Sequence, residues 1–139
     1  MDNILEQEII DFIEKEYWKS NLKSDSDIFD LVKIDGDDCD ELIIKYSEKY
    51  SVNMDNYLWY FHHQEEASIN RLGSMIFKTP DKLVNRIPIT PNMLTEFANS
   101  KTWNLDYPEH KFPKYRYDLI ITYLILLFII AINIYHYIK

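Results

Sequence analysis

Glycine and cysteine are almost missing from this chain of 139 residues. With only Gly36 and Gly73, the sequence cannot form a Gly-x-Gly-x-x-Gly turn or a P-loop around a phosphate. Cys39 is the only cysteine, so an internal disulfide and a zinc site made of several thiols are both excluded. This cysteine usage fits a bacterial or cytosolic setting, and we expect Cys39 to be a structural thiol.

Positive charge is scarce in the first third of the chain. Residues 1–50 hold 15 acidic and 6 basic side chains, whereas residues 51–139 hold 8 acidic and 9 basic ones. An acidic surface repels nucleic-acid phosphates, so we expect no nucleic-acid partner. The same surface suits a basic protein partner.

The sequence also lacks the residue sets that carry catalysis. No nucleophile is paired with a base, and no spacing of His, Cys and carboxylates matches a metal site, so we expect no enzyme activity, catalytic residue, cofactor, metal or small-molecule substrate. His62 and His63 are adjacent, and we expect them to be surface or partly packed residues.

A long uncharged run stands in contrast to these absences. The 20 residues from Leu119 to Ile138 include no Asp, Glu, Lys or Arg, and as a helix they would span about 30 Å, the thickness of a bilayer core. Lys111, Lys114 and Arg116 precede this run, so the positive-inside rule predicts a single-pass inner-membrane protein whose soluble domain is cytoplasmic. Asn133 leaves open a contact with another membrane helix.

Apolar periodicity predicts helices in the soluble part. The first runs from Met1 to about Trp18, with apolar positions at Ile4, Leu5, Ile9, Phe12, Ile13 and Tyr17. A loop with the apolar cluster Ile28, Phe29, Leu31 and Ile34 follows it. A later helix is predicted to start at Thr90 as N-cap, with Pro91 at its first position. The segment from His62 to Asn85 is expected to be rich in loops.

The stretch "KIDGDDCDEL", from Lys33 to Leu42, holds five carboxylates. It does not match a calcium loop, because placing Gly36 at loop position 6 leaves Leu31, Lys33 and Leu42 at positions that need ligands. Instead it predicts an acidic helix start, with Asp38 as N-cap and Glu41 completing a capping box. That helix runs from Cys39 to about Tyr50 and faces the core with Leu42, Ile43, Tyr46 and Tyr50.

A helix, a loop with an apolar cluster and a helix that opens on an acidic patch resemble the layout of acyl carrier proteins. In their Asp-Ser-Leu signature the serine carries the phosphopantetheine arm, and acidic residues of the following helix bind basic partner enzymes. Here Asp35, Gly36 and Asp37 stand at those three positions, and "EKYSVNM" resembles the end of that helix. Asp38, Glu41 and Leu42 fall where the carrier helix has its Asp, Glu and Leu.

Two blocks resemble a bacterial family labelled domain of unknown function 1493. They read "IDGDDCDELIIKYSEKYSVNMDNYLWYF" and "RIPITPNMLTEFANSKTW", and together they cover roughly Phe29 to Trp103. The resemblance implies a mainly all-α, acyl-carrier-like small helical bundle with a loop-rich insertion, followed here by one C-terminal transmembrane helix. It implies no established activity. We expect an acyl-carrier-like domain over residues 1–103, a juxtamembrane linker over 104–118 and a membrane helix over 119–138.

Gly36 has no hydroxyl to carry a phosphopantetheine arm, so the sequence predicts a binding module that carries no acyl group. One form of such a module is an inhibitor or immunity protein. The candidate docking residues are Asp37, Asp40, Glu41 and Glu48. The alternative is a true carrier protein that is modified at another residue.

Overall fold

The computed structural model describes residues 4–65 and 71–139, and within these ranges it contains six α-helices and no β-strand. The helices are α1 (Glu6–Tyr17), α2 (Ile28–Val32), α3 (Asp37–Tyr50), α4 (Arg71–Ser74), α5 (Pro91–Ser100) and α6 (Tyr117–Ile138). Short 3-10 turns cover Trp59–Phe61 and Pro80–Lys82. The expectation of a mainly helical chain with one long apolar C-terminal helix is confirmed.

The core lies between α1, α3 and α5, and each of these helices turns one apolar stripe inward. Its fully enclosed members include Ile9 and Ile13 of α1, Leu42 and Tyr46 of α3, Leu94 and Ala98 of α5, and Trp103 beyond α5. The Tyr46 hydroxyl donates to the Leu94 carbonyl at 2.6 Å, which satisfies a buried polar group and links α3 to α5. The four residues predicted to face inward from α3 are all buried.

Helix α1 begins later than the sequence predicted. Residues 1–3 lie outside the described residues, and the helix starts at Glu6 with Leu5 in extended geometry before it. Leu5, one of the apolar positions in the predicted pattern, precedes the helix and is 65% exposed. The Asn99 side chain holds the chain at Ile4, accepting from its N–H at 2.8 Å and donating to its carbonyl at 2.9 Å.

The loop predicted around Ile28 is in fact the short helix α2. Asp27 is its N-cap, and its side chain accepts from the Asp30 N–H at 3.4 Å. Ile28 and Phe29 are buried as expected, whereas Leu31 is 37% exposed. Arg86 holds the cap in place with two bonds to the Asp27 carboxylate, at 2.5 and 2.9 Å.

Helix α3 starts at Asp37, two residues before the predicted start, and the predicted capping box is wrong. Gly36 occupies the N-cap position, and no side chain caps the helix there. Gly36 has φ 54° and ψ −129°, a conformation that favours glycine because it has no Cβ. The Gly36 carbonyl accepts from the N–H groups of Cys39 and Asp40, so the backbone alone starts the helix.

Helix α5 begins as predicted. The Thr90 side chain accepts from the Met93 N–H at 3.3 Å, and Pro91 is the first helical residue. Just beyond this helix, Thr102 forms a parallel bridge with Asn53. This bridge joins the segments that follow α5 and α3 at one end of the bundle.

Helix α6 is largely exposed along its 22 residues, and it is long and apolar enough to cross a membrane. Its first turns are the exception, because Asp118 and Thr122 are buried against α4. Gly73 of α4 donates its N–H to the Thr122 hydroxyl at 2.8 Å. A Cβ on Gly73 would lie 1.6 Å from the Asp118 carbonyl oxygen, so only glycine allows this approach.

Candidate functional site

The outer face of α3 carries an acidic stripe with an apolar residue in it. Asp37, Glu41, Ile44 and Glu48 are spaced by four, three and four residues, which places them along one side of a helix. All four side chains are exposed, and Ile44 is 55% exposed although it is aliphatic. We call these four residues the docking stripe. Three of the predicted docking residues therefore share one accessible surface.

One edge of the docking stripe is held by ion pairs. Lys45 bonds Glu41 at 2.8 Å within α3 and also bonds Glu16 of α1. These contacts lie at the surface, where such pairs contribute about 0–1 kcal/mol. Glu41 thus contacts Lys45 and solvent. Its predicted role in capping the helix is wrong.

Asp40, the fourth predicted docking residue, is only partly exposed because it turns towards His63. Its carboxylate accepts from the His63 ring at 3.0 Å, while the other ring nitrogen faces the Gln64 carbonyl at 3.1 Å. Asp35 accepts from the N–H groups of Gly36, at 2.9 Å, and Gln64, at 3.2 Å. These bonds fasten the start of α3 to the segment after the first 3-10 turn.

Cys39 lies inside this junction with no exposed surface. Burial, followed by the nearby Asp35 and Asp40 carboxylates, raises the pKa of its thiol to about 12. A thiol with such a pKa is protonated at neutral pH and is a poor nucleophile. The environment is that of a structural thiol.

Among the described residues, Asp35, Cys39 and His63 are the group best placed to hold a metal, because their ligand atoms lie within 4.8 Å of one another. Metal binding needs the thiolate, so a metal here would have to displace the proton of a thiol whose pKa is raised by burial. Both ring nitrogens of His63 face oxygen acceptors, and Asp35 holds two backbone N–H groups. The bonding pattern is that of a hydrogen-bonded junction between α3 and the histidine segment.

A small pocket of about 210 Å³ opens beside this junction. Its lining combines Phe29 and Ile34 with the charged groups of Lys33, Asp35 and Arg86. Asp35, the residue before Gly36, is part of this lining. The lining offers hydrogen bonds and charge, and it includes no serine, threonine or tyrosine hydroxyl.

A protein-family model matches residues 1–106, about three quarters of the chain. The family is described as "Protein of unknown function (DUF1493)". The chain belongs to this family. The match covers α1 to α5 and ends before α6, so the docking stripe is part of the DUF1493 region. No match was found among curated proteins or among solved structures.

Within the DUF1493 region, the two histidines are more deeply buried than the sequence indicates. His62 is fully buried and His63 is 6% exposed, so neither is a surface residue. The His62 ring stacks on Tyr57 with ring centroids 5.3 Å apart and packs edge-on against Trp103. The aromatic composition of "NYLWYFHH" was the available signal, because such rings pack together when buried.

His62 has a defined hydrogen-bond pattern. Its Nδ1 lies 2.8 Å from the Ile87 carbonyl, which can only accept, so Nδ1 carries the proton. Its Nε2, 2.8 Å from the Tyr107 hydroxyl, therefore accepts the hydroxyl proton in the neutral form. The Tyr107 oxygen accepts from the Trp103 indole N–H at 2.8 Å and the Leu58 N–H at 3.2 Å. This network joins residues 58–62, Ile87 and residues 103–107 around a neutral histidine.

Proposed function

We propose that this protein is a membrane-anchored, acyl-carrier-like binding module that docks a basic protein partner on the exposed face of α3. The proposal locates it in the inner membrane with the soluble domain in the cytoplasm. An inhibitor or immunity protein, held where its target acts, is one form of this module. Tethering raises the local concentration for any partner in the same membrane.

The docking stripe is the observation that carries the proposal. Protein interfaces combine an apolar centre with a polar rim, and complementary charge steers the approach. Ile44 provides an exposed apolar centre, and Asp37, Glu41 and Glu48 surround it along the helix. A partner with basic side chains around an apolar pocket would complement this pattern.

The backbone at Gly36 supports a module without cargo. A carrier arm needs a side-chain hydroxyl at the start of the helix, and Gly36 offers none. Its positive φ also makes the position unfavourable for serine, so the site is built for glycine. The anchoring part of the proposal rests on α6, whose exposed apolar surface would be costly in water.

The test starts from the full chain in membranes with a photo-crosslinking residue at Ile44, which captures the protein that contacts the docking stripe. Affinity for that protein is then measured for the double reversal Asp37→Lys and Glu48→Lys. Asp40 and Glu41 are spared because they have intramolecular partners. An exposed pair contributes about 0.2–1 kcal/mol, so the reversal should weaken binding by about tenfold or more, and added salt should also weaken it.

The matched control is Asp25→Lys with Glu109→Lys, two exposed acids outside α3 that change the net charge equally. It should bind nearly as well as the wild type, with circular dichroism confirming that every variant is folded. Binding that resists both salt and the α3 reversal would show that the partner uses another surface. A phosphopantetheine mass on the purified chain would establish the alternative, a carrier modified elsewhere.

A further inference from the structure

An apolar surface with basic residues lies where α6 leaves the soluble domain. One cleft beside Tyr117 is lined by the exposed residues Ile76, Phe77, Lys78, Leu83 and Phe112. The exposed Met75 and Lys82 are chain neighbours of Ile76 and Leu83. We call these seven residues the juxtamembrane face. The docking stripe carries three acidic residues, whereas the juxtamembrane face carries the exposed Lys78 and Lys82.

The loop after α4 brings the most exposed apolar residues to this face. Met75 is 83% exposed and Ile76 is 65% exposed, values that are unusual for adjacent large apolar side chains. Gly73, two residues earlier, contacts the first turns of α6 through Thr122. Phe77 lies against Tyr117, the first residue of α6, with ring centroids 5.6 Å apart. The exposed loop is therefore fixed beside the start of the apolar helix.

A cleft of about 510 Å³ lies behind the loop. Its walls are mainly apolar and aromatic, with Trp59, Phe77, Phe112, Tyr115 and Tyr117 among them. Trp and Tyr rings are typical of the level at which a protein meets lipid headgroups, because they combine an apolar body with a polar group. The aromatic side chains of the cleft therefore lie beside the start of α6, where we expect the headgroup region to be.

We propose that the juxtamembrane face contacts the bilayer, with Met75, Ile76 and Phe77 inserted among the lipids and the lysines bound to anionic headgroups. The occupant is anionic phospholipid of the membrane that holds α6. Two observations select it: the face is continuous with the apolar helix at Tyr117, and its exposed lysines complement negative headgroups. The inference rests on the proposed anchoring by α6.

Lipid contact at this face is energetically reasonable. Basic residues are attracted to an anionic membrane surface, and the transfer of apolar side chains out of water is favourable. Neither contribution alone holds a domain firmly, but both act on a surface that α6 keeps close to the bilayer. The face is thereby an orienting contact and not a second anchor.

The test uses the full chain in phosphatidylcholine vesicles with and without phosphatidylglycerol. The variant Met75→Cys carries an environment-sensitive dye on its new thiol. The control is Ile44→Cys with the same dye, because Ile44 is exposed and aliphatic but lies on α3. The native Cys39 is enclosed, so the unsubstituted chain should take up no dye. In phosphatidylglycerol vesicles we expect iodide quenching at Met75 to be several-fold weaker than at Ile44.

A charge variant tests the headgroup contact. The reversal Lys78→Glu with Lys82→Glu should raise iodide quenching at Met75 in phosphatidylglycerol vesicles and change it little in phosphatidylcholine alone. Equal quenching at Met75 and Ile44 in chains that float with vesicles would overturn the inference and leave anchoring intact. Chains that do not float, or that alkaline carbonate extracts, would overturn both. Shielding that disappears when protein is diluted in lipid would assign the face to a second copy of the chain.

Discussion

At the scale of single residues, the start of α3 is determined by Gly36 and not by Asp38. The sequence pattern favoured Asp38, because Asp followed three residues later by Glu is a common capping box. In the structure Asp38 is already inside the helix. The N-cap is Gly36, whose positive φ sets the direction in which the chain enters the helix. The pattern could not show this, because a positive φ at a single residue leaves no periodic signal.

Substituting these two residues should therefore have unequal effects. Gly36→Ala places a Cβ on a residue with φ 54° and should lower the free energy of unfolding by about 1 kcal/mol or more. Asp38→Ala removes no cap and should change it by less than about 0.5 kcal/mol. Urea denaturation of both variants in the same detergent measures the difference. A larger loss from Asp38→Ala would show that its side chain caps the helix after all.

At the scale of elements, some features followed from the sequence and others did not. Helix α5 was predicted from Thr90 and Pro91, since a cap and a first-turn proline are local signals. Helix α2 was missed because its five residues are too few to show helical periodicity. The junction of His63 with Asp40 joins residues 23 positions apart, and such contacts cannot be read from spacing along the chain.

The His62 network should make the packing between elements sensitive to acid. Burial lowers the pKa of His62 from 6.5 to about 4, even though the bond to the Ile87 carbonyl favours the proton. Between pH 6.5 and 4, His62 binds a proton in the unfolded chain but not in the folded chain. The free energy of unfolding therefore falls as pH falls through this window. The loss approaches roughly 3 kcal/mol if the full shift is expressed.

The measurement is the free energy of unfolding against pH, with His62→Gln as the comparison. The variant removes the titrating group, so its stability should depend less on pH across the same window even if it is lower throughout. Parallel curves for the two proteins would show that the acid sensitivity comes from other groups.

For the whole molecule, the long apolar helix was the feature best predicted by the sequence. The expected range of 119–138 differs from α6 by two residues at its start, because Tyr117 and Asp118 join the first turn. Asp118 is buried there and bonds Arg116 at 2.5 Å, while Arg116 also bonds Glu65 at 2.8 Å. These contacts, which spacing could not predict, link the helix to the domain.

Fractionation tests the membrane assignment directly. The full chain should sediment with membranes and resist extraction by alkaline carbonate, because α6 exposes apolar side chains along most of its length. A chain that ends at Tyr115 lacks α6 and should be soluble, with the circular dichroism of a helical domain. A soluble full chain, or a truncated chain that remains with membranes, would contradict the assignment.

The contact between Gly73 and the first turns of α6 has a geometric consequence for the anchored protein proposed above. A domain on a flexible tether would sample a hemisphere of positions over the bilayer. Here the close backbone approach and the Thr122 bond hold α4 against the start of α6, so we expect the docking stripe to keep a narrow range of heights and tilts. The protein then finds its partner by lateral diffusion in the membrane plane and by rotation about the membrane normal. A partner must therefore present its basic surface within that range of heights.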